Sequence, residues 1–183
     1  STKDRTISYP FAKNYFREMI SQQIIVLNKY KSVYIYEQKN TDGHIFSGVI
    51  TGINYLSYLE GKIKKHENTI AEKEERLIKH VQSIGAVGEP VLLTHSPKKD
   101  VAEWIEKNKK QINFEFTCSS GNKHQVYEIT DEKAINELQQ SYAVIDELYI
   151  ADGHHRVAAT TNYCARLYSS ENKPKMDLMF MAY

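Results

Sequence analysis

The segment around Asp152 constrains the fold of this chain more than any other part of its sequence. An apolar run over residues 148–151 ends on Asp152 and Gly153, and residues 154–169 then continue in a helical pattern. A buried strand that turns at a glycine into a helix is typical of α/β architecture. The first turn of a helix carries unpaired backbone N–H groups and about half a positive charge. The sequence therefore predicts an anion-binding turn at this point.

The rest of the chain alternates between strand and helix patterns, with no internal repeat and no linker. Apolar spacing predicts a helix over residues 11–28, a helix capped by Thr69 and ending near residue 84, a helix that starts at Ser96 and Pro97, and a helix over 131–143. Residues 62–65 are predicted as part of a polar loop. Strands are predicted over residues 32–38, 45–53, 91–94, 112–117, 124–129 and 176–182. We expect an α/β fold with a mixed (α+β) sheet, in a single domain over residues 1–183.

Composition and net charge restrict which cellular compartment and which class of binding partner are expected. The 183 residues have a formal net charge of +1, which gives no global attraction to nucleic acid or to an anionic membrane. Cys118 and Cys164 lie far apart in sequence, so we expect reduced thiols in the cytoplasm, with Cys164 in the core. No apolar run approaches the roughly 20 residues of a membrane helix. Because residues 176–183 form an apolar run at the C-terminus, we expect the chain to be cut from a longer protein.

The residues that follow the predicted strand suit a phosphate. Gly153 permits the turn, while His154, His155 and Arg156 add cationic and hydrogen-bonding groups. Asp152 is the carboxylate of the group, and it can cap the helix, hold a divalent cation or accept a proton. The alternative is that Asp152 is only an N-cap and that both histidines are surface residues. Zinc binding is not expected, because adjacent helical residues point about 100° apart.

A second polar cluster, His66-Glu67-Asn68-Thr69, precedes the second predicted helix. One interpretation is that Glu67 or His66 faces the same cleft as Asp152, where a carboxylate can act as a general base or bind a substrate amine. The other is a solvated loop whose function is capping by Thr69. Four further histidines show no partner pattern and are predicted to be bystanders: His44, His80, His95 and His124.

Three segments together resemble one protein family. Tyr34-Ile35-Tyr36 is similar to a family strand, residues 61–69 to a family segment of the form G-x-I-x-x-H-E-x-T, and residues 148–156, LYIADGHHR, to the family signature. On these motifs the chain is identified as a member of domain of unknown function family 1015. The signature is in turn similar to that of free serine kinases with the ParB/sulfiredoxin-like fold, so the resemblance implies that fold for the motif-bearing part.

The resemblance implies phosphoryl transfer from ATP or ADP to a small hydroxyl metabolite, with free L-serine the leading acceptor and O-phosphoserine the product. The backbone N–H groups of Gly153 and His154, with His155 and Arg156, would hold the phosphates. Asp152 would be the base or a Mg²⁺ ligand, and Glu67 the base or the partner of the serine amine. The remaining candidates are His66 as a further catalytic residue and Asn68 and Thr69 as substrate-binding residues.

Two other functions are compatible with the same residues. One is a ParB-like nucleotide-binding switch, and the other is a non-catalytic binding domain. The near-zero net charge and the lack of a helix-turn-helix pattern count against a DNA-associated module. The expected partners are therefore a nucleotide and a small-molecule substrate, with no nucleic acid and no membrane.

Overall fold

Two β-sheets and the helices packed on them make up the described part of the chain, residues 8–170 and 179–182 of a computed structural model. The fold is mixed α/β, as the sequence predicts. The helices are α1 (Ser8–Ser21), α2 (Leu56–Leu59), α3 (Ala71–Ile84), α4 (Lys99–Asn108), α5 (Glu132–Ala143) and α6 (His154–Ser170). The strands are β1 (Val33–Lys39), β2 (Ile45–Asn54), β3 (Ile63–Lys64), β4 (Leu92–Thr94), β5 (Phe114–Thr117), β6 (Lys123–Ile129), β7 (Leu148–Asp152) and β8 (Met179–Ala182).

The larger sheet is antiparallel, with the strand order β5-β6-β1-β2-β8. The predicted strands form two hairpins, β1–β2 and β5–β6, and Ile35 on the central strand pairs with Val49 on one side and Tyr127 on the other. Alternate residues of β1 are buried, because one face of the sheet is covered by α4 and α5. Val101, Trp104 and Ile105 form the buried stripe of α4.

The smaller sheet carries the segment that the sequence singled out. Its order is β3-β7-β4, with β3 parallel and β4 antiparallel to the central strand β7. Ile150 of β7 is buried against Val157 and Cys164 of α6, so the strand–turn–helix unit forms around its own apolar cluster. The prediction that Cys164 lies in the core is confirmed.

The first helix is shorter than predicted. It ends at Ser21 rather than near residue 28, because Gln23 adopts a left-handed backbone conformation (φ +58°) and the N–H groups of Ile24 and Ile25 turn back to the Met19 carbonyl. The apolar stripe continues beyond this point without a covering surface, and Leu27 is 96% exposed. A period of three to four residues was therefore insufficient evidence for a helix here.

The predicted cap at Thr69 is wrong. α3 begins at Ala71, and the residue at its N-cap, Ile70, makes no side-chain capping bond. The backbone N–H of Ile70 instead donates to Nε2 of His155, 3.2 Å away and 85 positions later. A side chain from α6 thus binds a backbone donor at the start of α3, where the sequence predicted only local capping.

Three smaller differences follow from pairing or backbone geometry. Residues 63 and 64, predicted as loop, form β3 because they pair in parallel with β7. α4 begins at Lys99, since Lys98 is extended and keeps Pro97 outside the helix. Of the predicted final strand, Met179–Ala182 is observed as β8, and residues 176–178 lie outside the described residues. Within the described ranges, no helix has the length and apolar character to cross a membrane.

Candidate functional site

The turn after β7 has space only for glycine. Gly153 has φ +95°, a conformation that side chains disfavour. A Cβ at this position would lie 2.9 Å from Cγ1 of Val91 and 3.2 Å from the Arg156 guanidinium. The turn therefore packs directly against β4 and the Arg156 side chain. Asp152 ends the strand and His154 opens the helix, as the sequence predicts.

The start of α6 presents unused donors. The Val157 N–H closes the first turn on the Gly153 carbonyl at 3.0 Å. The N–H groups of His154, His155 and Arg156 have no acceptor among residues 8–170 and 179–182. Three converging donors at the positive end of a 17-residue helix favour an anion.

Arg156 is already paired with carboxylates. Its Nη2 donates to Oδ2 of Asp152 at 2.5 Å, and its Nη1 lies 3.3 Å from Oε2 of Glu89. Nη1 also donates to the Pro90 carbonyl. Asp152 therefore binds the Arg156 side chain rather than acting as a simple cap of α6. A phosphate approaching Arg156 has to compete with these two carboxylates.

His154 is buried and neutral. Only 6% of its surface is exposed, and its ring meets the edge of His66 with centroids 4.4 Å apart. Burial and the nearby His66 ring lower the pKa of His154, and the carboxylates of Glu67 and Asp152 offset this only in part. Its Nδ1 lies 3.9 Å from Oε2 of Glu67, and its Nε2 has no partner among the described residues. The alternative placement of His154 at the surface is therefore wrong, while its expected role in binding phosphate stays a prediction.

His155 has a structural contact that the sequence did not reveal. Its Nε2 accepts the N–H of Ile70, which ties the start of α6 to the start of α3. The neutral ring then carries its hydrogen on Nδ1, which is the nitrogen left to donate to a ligand.

A single cavity of about 700 Å³ collects most of the predicted site residues. Its lining includes His66, Glu67, Asp152, Gly153, His154, His155 and Arg156. The two carboxylates, 85 positions apart in sequence, thus share one cavity. Asn68 and Thr69 are not among its lining residues, so their expected contact with a substrate has no geometric support.

The sequence missed five other lining residues as a group: Tyr9, Lys73, Leu77, His80 and Glu89. A signal was present for three of them. Positions 73, 77 and 80 recur at steps of four and three on the predicted helix, together with Arg76, and therefore lie on one face. His80, expected to be a bystander, lines the cavity.

A larger cavity, of about 1470 Å³, lies between the two sheets and α4 and α5. Its lining is largely apolar, and it meets the smaller cavity only at Ala151. The smaller cavity is the candidate functional site, because the carboxylates of Glu67 and Asp152, the buried His154 and the free helix donors all lie there.

No group of three or more histidine, cysteine, aspartate or glutamate side chains in the described ranges is arranged to hold a metal ion. Mg²⁺ does not require such a group, because it usually takes one or two carboxylates together with substrate phosphates. Asp152 fits that requirement as one carboxylate next to the helix donors. It would first have to leave Arg156.

One family model, with the description "Protein of unknown function (DUF1015)", matches residues 1–183. The chain belongs to this family. The resemblance drawn from the three sequence segments is confirmed in that respect, and residues of two of them, 61–69 and 148–156, line one cavity in this DUF1015 chain. Comparison with curated proteins and with solved structures gave no match. The relation to ParB/sulfiredoxin-like kinases stays a prediction.

Proposed function

We propose that this domain transfers a phosphoryl group from ATP or ADP to the hydroxyl of a small metabolite in the cytoplasm, with free L-serine the leading acceptor. One observation carries the proposal. The free N–H groups at the start of α6, the Arg156 guanidinium and the carboxylates of Asp152 and Glu67 lie around one cavity. Phosphoryl transfer depends on positioning and charge stabilisation, and these groups supply both.

The contacts of Arg156 would allow a phosphate to replace the Asp152 carboxylate as its partner. Asp152 holds its guanidinium at 2.5 Å, and a phosphate is an equivalent anionic partner for the same donors. A phosphate that takes this place releases the Asp152 carboxylate into the cavity. The released carboxylate can accept a proton or hold Mg²⁺, which would supply charge neutralisation on the phosphate oxygens. Because Gly153 has no side chain, the Arg156 guanidinium can lie close to the backbone of the turn.

Glu67 is the better candidate for the acceptor side of the cavity. Among the carboxylates that line it, Glu67 alone has no lysine or arginine partner within the described residues. Its Oε2 lies 3.9 Å from the neutral imidazole of His154, with the His66 ring beside it. Such a carboxylate can accept the hydroxyl proton or bind the amine of an amino-acid substrate.

The atoms balance without a further reactant. The bond between the terminal phosphorus and its bridging oxygen breaks, and a bond forms from that phosphorus to the acceptor hydroxyl oxygen. The hydroxyl proton passes to Glu67 or to Asp152. ADP leaves when ATP is the donor, and AMP leaves when ADP is the donor.

A product assay tests the proposal. The protein is incubated with ATP or ADP, Mg²⁺ and a panel of amino acids, and phosphorus-31 NMR detects the phosphomonoester. We expect O-phosphoserine from the wild type, and a loss of turnover of about 100-fold or more in Glu67→Gln and in Asp152→Asn. The control is Glu103→Gln, an exposed carboxylate on α4, which should leave turnover unchanged.

Two outcomes contradict the proposal. Near-normal turnover in Glu67→Gln or Asp152→Asn removes that residue from the reaction. Tight nucleotide binding without any phosphorylated product indicates a nucleotide-binding switch or a non-catalytic binding domain instead.

A further inference from the structure

One face of α3 forms part of the same cavity. Lys73, Arg76, Leu77 and His80 line it, and their spacing places them on one side of the helix, which packs against α6. Tyr9 adds to this wall from α1. Its hydroxyl donates to the Arg76 carbonyl at 3.2 Å, and its ring lies 6.1 Å from that of His80. The cavity therefore has a second wall that the two sequence motifs do not include.

Charge is distributed unevenly between the two walls. Arg156, beside the turn, is held by Asp152 and Glu89. Lys73 and Arg76, by contrast, have no carboxylate within ion-pair distance in the described part of the chain, and both are exposed. The cations and carboxylates of the cavity balance formally, but the unpaired positive charge lies on α3.

None of the three glutamates of α3 neutralises this face, and Glu72 neither lines the cavity nor forms an ion pair with a described residue. Oε2 of Glu74 accepts from Asn162 at 2.9 Å, and Oε2 of Glu75 pairs with Arg166 at 3.0 Å. Both partners belong to α6, and neither glutamate lines the cavity. The two glutamates therefore serve helix packing, and Lys73 and Arg76 remain available to a ligand.

On the basis of the proposed function, we infer that Lys73 and Arg76 bind a second anionic group of the ligand, so that the cavity selects a diphosphate or a longer phosphate chain over a monophosphate. The donors at the turn hold one phosphate, and the cations of α3 hold the next. A volume of about 700 Å³ lies within the range of small-molecule sites, roughly 300–1,000 Å³. In this orientation the acceptor hydroxyl lies on the Glu67 side.

Calorimetric titration with AMP, ADP, inorganic phosphate and pyrophosphate tests the inference. The wild type should bind ADP at least about 10-fold more tightly than AMP, since each charge-assisted pair contributes about that factor. Lys73→Ala/Arg76→Ala should lose this preference for ADP, while AMP affinity changes little. Lys79→Ala is the matched control, because Lys79 is an exposed cation of the same helix outside the cavity lining, and it should retain wild-type affinities.

The outcomes separate this inference from the proposed function. A double variant that binds ADP as tightly as the wild type overturns the inference alone. A wild type that binds none of the four compounds overturns both. An equal loss of affinity for pyrophosphate and for ADP in the double variant supports recognition of the phosphate chain. A loss of affinity for ADP alone shows that the two cations bind the nucleoside, and it contradicts the inference. Lys73→Gln and Arg76→Gln, tested singly, give the same comparison if the double variant does not fold.

Discussion

The regions around the two sheets differ in how fully their buried polar side chains are hydrogen-bonded. In the larger sheet, the buried Glu37 is satisfied by Lys109 at 2.9 Å, Ser47 at 2.8 Å and the Tyr127 hydroxyl at 3.3 Å. Around the smaller sheet, two side-chain atoms of α6 are buried without a partner in the described residues, Nε2 of His154 and Oγ1 of Thr161. A third such atom, Oδ1 of Asn40, lies in the hairpin turn between β1 and β2.

This difference distinguishes a region that stabilises the fold from a region suited to ligand binding and catalysis. A buried polar group without a hydrogen bond lowers stability by about 1–3 kcal/mol. Such a group is therefore retained where another structural requirement fixes its position. Here the requirement is the packing of α6 against β7 beside the turn at Gly153. We therefore expect substitutions in the larger sheet to change stability, and substitutions that line the cavity beside the smaller sheet to change ligand binding and catalysis.

The largest effect on stability is expected at Trp104. Its indole is buried between the larger sheet and α5, and its Nε1 donates to the Ala134 carbonyl at 2.8 Å. Trp104→Ala should lower the free energy of unfolding by about 3–5 kcal/mol, measured by urea denaturation. Phe114→Ala, at an exposed position of the same sheet, is the control. Loss of nucleotide binding in a Trp104→Ala protein that is still folded would break the separation of the two regions.

A smaller effect with a defined pH dependence is expected at Glu37. Burial raises the pKa of Glu37, but hydrogen bonds from Lys109 and Ser47, together with the Lys109 charge, outweigh it and hold the pKa below its usual value. A lowered pKa stabilises the fold above about pH 4.5, and this stabilisation is lost as the pH falls through the folded-state pKa. Glu37→Gln should cost about 1–3 kcal/mol at pH 7 and flatten stability below pH 4.5. An unchanged acid profile would contradict this assignment.

The sequence predicted the parts of the fold that depend on neighbours along the chain. Alternation identified β1 and β2, and a glycine after an apolar run identified the turn at Gly153. It failed where a distant partner decides the local structure. The start of α3 is fixed by a bond from the Ile70 N–H to His155 rather than by a Thr69 cap, and β3 exists only because it pairs with β7. Local patterns do not contain these contacts.

The candidate site was predictable to a similar degree. The motif residues were found because many ionisable and polar side chains lie close together in sequence. Most of these residues line one cavity. Lys73 and His80 of α3 were missed, because they look like a solvated helix surface until α3 is packed against α6. Burial of His154 was also beyond the sequence, since the His66 loop and α6 produce it together.

In contrast to the substitutions at Trp104 and Glu37, a substitution at Thr161 is expected to stabilise the fold. Its hydroxyl oxygen is buried on α6 without a partner in the described residues, and the side chain is 1% exposed. Thr161→Val removes the unsatisfied group at nearly constant shape and should raise the free energy of unfolding by about 1 kcal/mol. Thermal denaturation measures the change. A clear destabilisation would show that the hydroxyl has a partner and would weaken the contrast with Glu37.

The smallest effect on stability, but a sharp chemical contrast, is expected between the two cysteines. Hydrogen bonds with Ser120 and His124 lower the pKa of Cys118, at the β5–β6 hairpin, to about 6. Burial raises the pKa of Cys164, in α6, to about 11. At pH 7.5 iodoacetamide should alkylate Cys118 and leave Cys164 unmodified, as mass spectrometry of peptides would show. Labelling of Cys118 should fall below pH 6, and Cys118→Ser should leave the melting temperature unchanged. Equal labelling of both thiols would contradict these pKa values.

Backbone amide NMR during titration with ADP tests the central claim most directly. The claim is that phosphate binds at the turn between β7 and α6, inside the cavity shared with Glu67. We predict that the largest shifts occur at the N–H groups of Gly153, His154 and His155, with smaller ones at Glu67. Residues of the larger sheet, such as Ile35, should stay unchanged. Shifts confined to the larger sheet, or saturable binding that leaves the turn unperturbed, would contradict the account.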